Sequence, residues 1–255
     1  MKKLFFGKNT TIAVIGYGRF GQLLVEILLG STQIKIIVIS SKKINLVNKN
    51  LKQVSIDDIK NADIIIPCVP ISKFESVIKR ISPLIKNGAT VMDICSVKTE
   101  PVKIMKKHLP SSIQIIATHP MFGPDSYDMK KNVKDLRLVL WNIRAKEENY
   151  LQIKDFLINL GMRIIELSPQ DHDKFLALSL GYSYLIGKIG QRMNIKKTPI
   201  DTYDFQLLLE HEAIIEKDSE QLFFDMQSQN PFTKNMLTKF NKTLNQILTE
   251  IKRSN

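Results

Sequence analysis

The sequence has little that would fix its structure covalently or hold it in a membrane. Only two cysteines occur in 255 residues. Cys68 and Cys95 lie in apolar stretches without the spacing of a metal site or a disulfide framework, so we expect buried, reduced thiols and no bound metal. No apolar run approaches the ~20 residues of a membrane span, and Leu4–Phe6 is too short for the core of a signal peptide. These absences predict a soluble, cytoplasmic protein with no membrane partner.

Acidic residues are fewer than basic ones, 25 against 37, which gives a net charge of +12. The excess lysines are spread along the chain, as at Lys103, Lys106 and Lys107, rather than gathered in one segment. No basic stretch alternates with aromatic residues, so we expect no nucleic-acid partner. Solvated lysine-rich surfaces explain the charge, and a basic field that steers anionic substrates is a secondary possibility.

The N-terminal two thirds of the sequence alternates short apolar runs with amphipathic stretches. The runs are near-continuous blocks, typical of strands buried on both faces of a sheet. One amphipathic stretch, Ser72–Lys86, starts with a capping-box pattern at Ser72 and Glu75. The order predicts an α/β fold with a doubly wound parallel, Rossmann-type sheet. Its predicted strands are Thr11–Ile15, Ile34–Ile39, Ile64–Ile66, Thr90–Cys95, Ile113–Ala117, Leu136–Trp141 and Met162–Leu167.

Strand patterns stop at Ser168 and Pro169, and the rest of the chain is predicted to be helical. The predicted helices are Gln170–Met193, Tyr203–Gln227 and Pro231–Lys252. Apolar residues from Met236 to Ile251 fall on one face of the last helix. We therefore expect a dinucleotide-binding domain at 1–168 and a helical substrate domain at 169–255. Its apolar faces would form a homodimer or, as the alternative, pack on the chain's own sheet domain.

A glycine-rich turn, Gly16-Tyr-Gly18-Arg-Phe-Gly21, stands between the first predicted strand and a helix predicted over Phe20–Leu29. The first glycine permits a tight turn, the second lets the backbone approach a pyrophosphate, and the third lets helix and strand pack closely. The helix N-terminus supplies N–H groups and a positive dipole end for the phosphates. This context predicts dinucleotide binding, with Arg19 and Phe20 as further cofactor residues.

The identity of the dinucleotide is predicted from a second absence. NAD-binding folds usually carry an acidic residue about 20 positions after the glycine turn, but no Asp or Glu occurs between Ile27 and Ile56. The second predicted strand is followed by Ser40, Ser41, Lys42 and Lys43, whose hydroxyl and ammonium groups suit a 2′-phosphate. We therefore expect NADP, although a solvated polar turn would have the same composition.

Two residues with suitable chemistry, Ser96 and His119, each follow a predicted strand. Ligands of doubly wound folds bind at the carboxyl ends of the strands, so both residues are candidates for the nicotinamide site. A neutral imidazole can accept a hydroxyl proton while a hydride leaves the adjacent carbon, and a serine hydroxyl can orient the same oxygen. A serine in this position is also common as a turn or helix-cap residue.

The sequence resembles the prephenate/arogenate dehydrogenase family, and the short plant-type arogenate dehydrogenases in particular. The resemblance covers roughly Thr11 to Phe232. It implies oxidative decarboxylation of a cyclohexadienyl carboxylate, with His119 as base on the ring C4 hydroxyl, Ser96 as its hydrogen-bonding partner and NADP as hydride acceptor. The matching motifs are Gly16–Gly21, Asp93–Lys98, Thr118–Ser126, His172–Asp173, Thr198–Phe205 and Lys217–Pro231.

The resemblance also implies residues that contact the substrate, among them Lys98, His172 and Asp173. An exposed helix N-terminus would explain the His172–Asp173 pair equally well. Asp218 matches an acidic residue linked to arogenate preference, although it also lies in an ordinary polar helix stretch. The substrate residues implied by the motifs are Lys98, His172, Asp173, Tyr184, Lys188 and Asp218.

Two of these positions depart from the family pattern. Tyr184 stands where relatives carry a histidine, and Lys188 where plant-type enzymes carry an arginine. Lysine lacks the bidentate fork of arginine, so carboxylate anchoring is in doubt and Arg192 is a further candidate. Two other functions remain open: another NAD(P)-dependent hydroxy-acid dehydrogenase, or a non-catalytic dinucleotide-binding regulator.

Overall fold

The computed structural model describes residues 10–31, 34–45 and 48–254. The chain divides into two compact units, the first ending at Pro169 and the second beginning at Gln170. The first unit contains the sheet, and the second is helical. The predicted fold class, a doubly wound sheet followed by a helical region, is therefore confirmed.

The sheet of the first unit has eight strands among the described residues, in the order β3-β2-β1-β4-β5-β6-β7-β8. Every neighbouring pair is parallel apart from β6 and β7. The order changes direction at β1, and the crevice beside such a switch point is where these folds bind dinucleotides. The strands are β1 Thr11–Ile15, β2 Lys35–Ile39, β3 Leu51–Gln53, β4 Ile64–Pro67, β5 Thr90–Asp93, β6 Gln114–Pro120, β7 Arg137–Arg144 and β8 Arg163–Glu166.

Helices cover the sheet because its central strands are apolar on both faces. All the residues of β4, β5 and β6 are buried. Short 3₁₀ segments occur at Ile56–Asn61 and Ser82–Leu84. The helices of this unit are α1 Arg19–Ser31, α2 Ile71–Ile81, α3 Thr99–His108, α4 Pro124–Lys130 and α5 Glu147–Asn159.

Three details of the predicted sheet are wrong. Leu51–Gln53 forms a strand, but three residues with two polar members show no periodicity. β6 continues through His119 and Pro120, so His119 lies within the strand rather than after it. β7 runs antiparallel to β6, and periodicity carries no information about strand direction.

The capping box predicted at Ser72 and Glu75 is also wrong. α2 begins at Ile71, with Pro70 in the N-cap position, so Ser72 lies inside the helix. The helix ends at Ile81, and Pro83 lies in the 3₁₀ segment that follows. Proline restricts the residue before it, which explains an earlier end than the apolar pattern suggested.

The second unit consists of helices, among which one predicted element is interrupted. The predicted helix Tyr203–Gln227 breaks at Lys217–Ser219, where the Ser219 hydroxyl accepts a hydrogen bond from the Leu222 N–H at 3.1 Å. A π-helical turn at Ala177–Gly181 joins the first two helices. Among the residues that the structure describes, no helix has the length and hydropathy of a membrane span. The helices are α6 Pro169–Leu176, α7 Tyr182–Arg192, α8 Tyr203–Glu216, α9 Glu220–Ser228 and α10 Thr233–Ser254.

Candidate functional site

The three glycines of the turn after β1 have three different environments. Gly16 has φ +97°, and a Cβ there would lie 2.3 Å from the Cys68 carbonyl oxygen; its N–H donates to the Ile39 carbonyl at 2.9 Å. A Cβ at Gly21 would lie 2.4 Å from the Gly16 carbonyl oxygen. A Cβ at Gly18 would meet no described atom within 4 Å. Gly16 and Gly21 are therefore required for close packing of the backbone, whereas Gly18 leaves space beside the backbone.

Arg19 and Phe20, predicted as cofactor residues, begin α1 and use their side chains differently. The Arg19 guanidinium Nη2 lies 2.9 Å from Asp125 Oδ2, and half of its side chain is exposed. The Phe20 ring packs against Phe122 with centroids 6.3 Å apart and lines an apolar cavity of about 60 Å³. A cofactor contact by Phe20 stays a prediction, and its backbone N–H at the start of α1 is the candidate group.

The turn that follows β2 is shaped by a residue of β3. The Gln53 side-chain amide donates to the carbonyls of Ser40 at 3.3 Å and Lys42 at 2.8 Å. The Lys42 N–H donates to the Ser40 hydroxyl at 3.2 Å, whereas the Ser41 side chain is exposed. Since Gly16 is bonded to the last residue of β2, the glycine turn and this polar turn are adjacent.

Ser96 and His119 lie at the carboxyl edge of the sheet, where the two turns also lie. β5 and β6 are parallel and pair Asp93 with Ala117, so Ser96 and His119 follow that pair by three and two residues. The His119 side chain is buried at 6 % exposure, and Ser96 is partly exposed. The carboxyl ends of parallel strands meet at one edge, so the fold places both residues predicted for hydride transfer at the same edge of the sheet.

The environment of Lys98 differs from that expected of a residue that contacts substrate. Its side chain is 1 % exposed, and its ammonium forms an ion pair with buried Asp93 and donates to the Thr118 carbonyl. Burial raises the pKa of the Asp93 carboxyl, while the ammonium and two backbone N–H groups oppose that rise. The prediction of direct substrate contact by Lys98 is corrected, because its ammonium is enclosed in protein.

His172 and Asp173 of the second unit are buried, at 3 % and 0 % exposure. His172 Nδ1 lies 2.8 Å from Asp173 Oδ1. The Asn230 side-chain amide donates to the Asp173 carbonyl at 2.8 Å. The alternative of an exposed, dipole-stabilised helix start is therefore wrong, since this is a buried hydrogen-bonded pair that fixes the imidazole orientation.

Both residues at the positions that depart from the family pattern are paired with carboxylates. The Tyr184 hydroxyl donates to Asp218, and the Lys188 ammonium lies 2.6 Å from Glu220. Lys188 is 7 % exposed, and its ammonium lowers the pKa of Glu220. Arg192, one turn further along α7, is exposed. Glu220 therefore neutralises the cation that was expected to bind a substrate carboxylate.

The sheet-containing part of this chain matches a known protein family. The family model described as "Prephenate dehydrogenase, nucleotide-binding domain" matches residues 31–166, more than half of the chain. This chain belongs to the prephenate dehydrogenase family. A second model, described as "TYRAAT1-like, C-terminal domain", matches residues 189–255. The glycine turn lies before the first matched range, so its interpretation depends on the geometry described above.

Prephenate dehydrogenase relatives from plants and archaea are similar to this chain. It is 28 % identical to arogenate dehydrogenase 1, chloroplastic, of Arabidopsis thaliana over 226 residues, 84 % of this chain and 35 % of that protein. It is 28 % identical over 197 residues to a probable arogenate/prephenate dehydrogenase of Methanocaldococcus jannaschii, 73 % of this chain and 43 % of that protein. The chain therefore spans less than half the length of these two relatives.

A solved prephenate dehydrogenase has the same fold. The A. aeolicus enzyme, crystallised with hydroxyphenyl propionate and NAD+, superposes with a TM-score of 0.73 at 16 % identity. The match covers 96 % of this chain and 91 % of that one. At this identity the likeness establishes the shared fold of the family.

Three structural partners of the predicted site residues were missed by sequence inspection. Asp93, Gln53 and Asp125 contact Lys98, the Ser40–Lys42 turn and Arg19 respectively. Asp93 and Asp125 stand inside the motifs that carry the family resemblance, and that position was an available signal. Gln53 had no signal, because its strand was itself not recognised.

Proposed function

We propose that this protein is an NADP-dependent dehydrogenase that oxidatively decarboxylates arogenate, to tyrosine, or prephenate, to 4-hydroxyphenylpyruvate. One observation carries the proposal: in a chain of the prephenate dehydrogenase family, the glycine turn, Ser96 and His119 share the carboxyl edge of one sheet. Family membership supports the choice of substrate class, and the residues at this edge would provide the groups for hydride transfer. The helical unit would carry the remaining substrate contacts.

The residues present suit a dinucleotide. Gly18 has open space beside its backbone, and the N-terminus of α1 follows directly. Backbone N–H groups of Arg19 and Phe20 would hold the pyrophosphate with the helix dipole. When bound, the dinucleotide would accept the hydride from the substrate carbon.

His119 would act as the general base. Its neutral imidazole would take the proton of the ring C4 hydroxyl as the hydride leaves C4, and the Ser96 hydroxyl would orient that oxygen. The C1–carboxylate bond would then break, carbon dioxide would leave, and the electron pair of that bond would move through the ring to the C4 oxygen, which takes the proton back from the imidazolium. Aromatisation makes the overall step effectively irreversible.

NADP rather than NAD is proposed from the turn after β2. Its hydroxyl and ammonium groups at Ser40, Ser41 and Lys42 suit a 2′-phosphate, and Gln53 holds the turn beside Gly16. No acidic residue stands between Ile27 and Ile56 to bond a bare 2′-hydroxyl.

Arogenate is proposed ahead of prephenate because Asp218 offers a carboxylate to the side-chain ammonium that prephenate lacks. Tyr184 orients that carboxylate by a hydrogen bond. Since Glu220 neutralises Lys188, we propose exposed Arg192 as the cation for the substrate side-chain carboxylate. The buried His172–Asp173 pair would present the imidazole to the substrate in a fixed orientation.

A homodimer through the helical unit is part of the proposal. The outer face of α10 exposes Leu237, Leu244, Ile247, Leu248 and Ile251, each at 37–54 %. Burial of such a stripe against a second copy is favourable at about 25 cal/mol per Å². Light scattering should give the mass of a dimer for the wild-type protein and half that mass for an Ile247→Asp, Ile251→Asp double variant. A wild-type monomer would contradict the proposed dimer.

A cytoplasmic location is also proposed, and cell fractionation tests it.

The central experiment measures NADPH and NADH formation with arogenate, prephenate and a panel of 2-hydroxy acids. NADPH formation with arogenate or prephenate, and with no 2-hydroxy acid, is the expected result. Turnover of a 2-hydroxy acid alone would favour another dehydrogenase of the same architecture. Dinucleotide binding without turnover of any acid would favour a regulator.

A further inference from the structure

A buried ionic cluster lies behind the two proposed catalytic residues. The Asp93 carboxylate accepts the Lys98 ammonium and the Cys95 N–H on Oδ2, the latter at 3.1 Å, and the Thr118 N–H on Oδ1 at 3.2 Å. The Thr118 hydroxyl donates to the Asp93 carbonyl, and the Thr118 carbonyl accepts from Lys98 Nζ. All three of Asp93, Lys98 and Thr118 are 2 % exposed or less.

The cluster holds the backbone directly next to both catalytic candidates. Cys95 precedes Ser96, and Thr118 precedes His119, so the Thr118 carbonyl belongs to the peptide bond that leads into His119. One carboxylate therefore sets the end of β5 and the end of β6 relative to each other. A buried carboxylate without its cation is strongly unfavourable, which makes this arrangement rigid.

We propose that Asp93 and Lys98 are positioning residues that fix Ser96 and His119 relative to each other, and that Lys98 serves the reaction without touching substrate. This inference rests on the proposed function and adds residues that hold the catalytic groups in place. The reaction rate depends strongly on the positions of the catalytic groups, since a misplacement of 1 Å can lower the rate about 10²-fold.

The test is a double-mutant cycle between Lys98→Met and Ser96→Ala, with kcat and KM for NADP measured separately. We expect Lys98→Met alone to lower kcat by about tenfold or more while KM for NADP changes less than about twofold. In the Ser96→Ala background the same change should lower kcat by a smaller factor than in wild type, because one of the two residues that Lys98 positions is gone. Additive effects, or an unchanged kcat, would overturn the proposal.

The matched control is Lys86→Met. Lys86 pairs with Asp63 at 2.7 Å, and Asp63 directly precedes β4, at the amino edge of the same sheet. This control should leave kcat unchanged. If Lys98→Met does not fold, two other variants replace it. The double variant Asp93→Asn, Lys98→Met removes both charges together. Thr118→Val keeps both charges and removes the hydrogen bond from the Thr118 hydroxyl to the Asp93 carbonyl. Each should lower kcat, and a wild-type kcat in a folded variant of either kind contradicts the proposal.

A measurement without turnover separates this inference from the proposed function. In protein labelled with ¹³C-histidine, the His119 ring signal, assigned with His119→Asn, should shift in Lys98→Met and not in Lys86→Met. An unshifted signal refutes positioning even if the enzyme is active. A shifted signal in a protein that turns over neither arogenate nor prephenate refutes the proposed function and leaves the positioning intact.

Discussion

Arg19 and Asp125 form an ion pair with 2.9 Å between Nη2 and Oδ2, although 106 positions separate them in the chain. The pair joins the first residue of α1, beside the glycine turn, to the first turn of α4, which follows His119 by a few residues. Half of the Arg19 side chain is exposed, so the pair adds at most about 1 kcal/mol to stability. The pair links the guanidinium of Arg19, which directly follows Gly18 in the chain, to α4.

We predict that Arg19→Ala and Asp125→Ala have equal, small effects on stability and unequal effects on cofactor binding. Arg19→Ala should weaken NADPH binding roughly tenfold, the scale of one charge-assisted phosphate contact. Asp125→Ala removes the carboxylate that lies 2.9 Å from Nη2 and keeps the arginine, so binding should hold or tighten. Fluorescence titration with NADPH measures both. Equal weakening in the two variants would show that the pair, rather than the arginine, matters.

The glycine turn yields a prediction that separates fold from binding. Gly21→Ala should lower the free energy of unfolding by about 3 kcal/mol, because its Cβ would meet the Gly16 carbonyl at 2.4 Å. Gly18→Ala should keep wild-type stability and weaken NADPH binding roughly tenfold, because a methyl group would keep phosphate from the backbone. Urea denaturation and titration are the measurements. Tight binding by folded Gly18→Ala would remove this turn from the cofactor site.

Cofactor preference is predicted to favour NADP and to be reversible at one position. Wild-type protein should show at least about tenfold higher kcat/KM with NADP, since the turn after β2 offers phosphate ligands and no acid. Ser40→Asp should shift the preference toward NAD by placing a carboxylate near the ribose 2′ position. Ser76→Asp, on the exposed surface of α2, is the control. An equal kcat/KM of the wild-type protein with NADP and NAD would contradict the assignment of NADP as the cofactor.

His119→Asn should reduce kcat by at least about 10²-fold, the usual scale for loss of a general base. NADPH affinity should change little, because the substitution keeps a planar polar side chain. Ser96→Ala should cost less, since a water molecule can replace part of the hydroxyl's role. Steady-state kinetics with arogenate and prephenate, together with NADPH titration, check both variants. A His119→Asn enzyme with near wild-type turnover would exclude this histidine from the reaction.

Substrate choice is predicted to depend on Asp218. Asp218→Asn should lower the ratio of kcat/KM for arogenate to that for prephenate roughly tenfold, because only arogenate has an ammonium group to pair with the carboxylate. Glu216→Gln, an exposed change two residues earlier, should leave the ratio unchanged. Higher wild-type efficiency with prephenate, or an unaltered ratio in Asp218→Asn, would refute the assignment.

Much of the fold could be predicted because burial on both faces leaves a clear signal in the sequence. β1, β2 and β4 consist almost wholly of apolar residues, and such blocks between amphipathic stretches indicate a doubly wound sheet. β3 could not be predicted, because a three-residue edge strand needs no apolar pattern. The direction of β7 could not be predicted either, since strand direction depends on the path of the chain in space.

The residue types and their motifs can be read from the sequence alone: the three spaced glycines, the serine and histidine close to the ends of strands, and the absence of acid between Ile27 and Ile56. These are local properties, and a strand that ends in a sheet places its next residues at a known edge. Which charges remain available to a ligand depends on how the chain folds in space. Lys98 and Lys188 looked like substrate cations, but Asp93 and Glu220 neutralise them. Ion pairing acts through distances of a few ångströms between chain segments that are remote in sequence, and no motif records them.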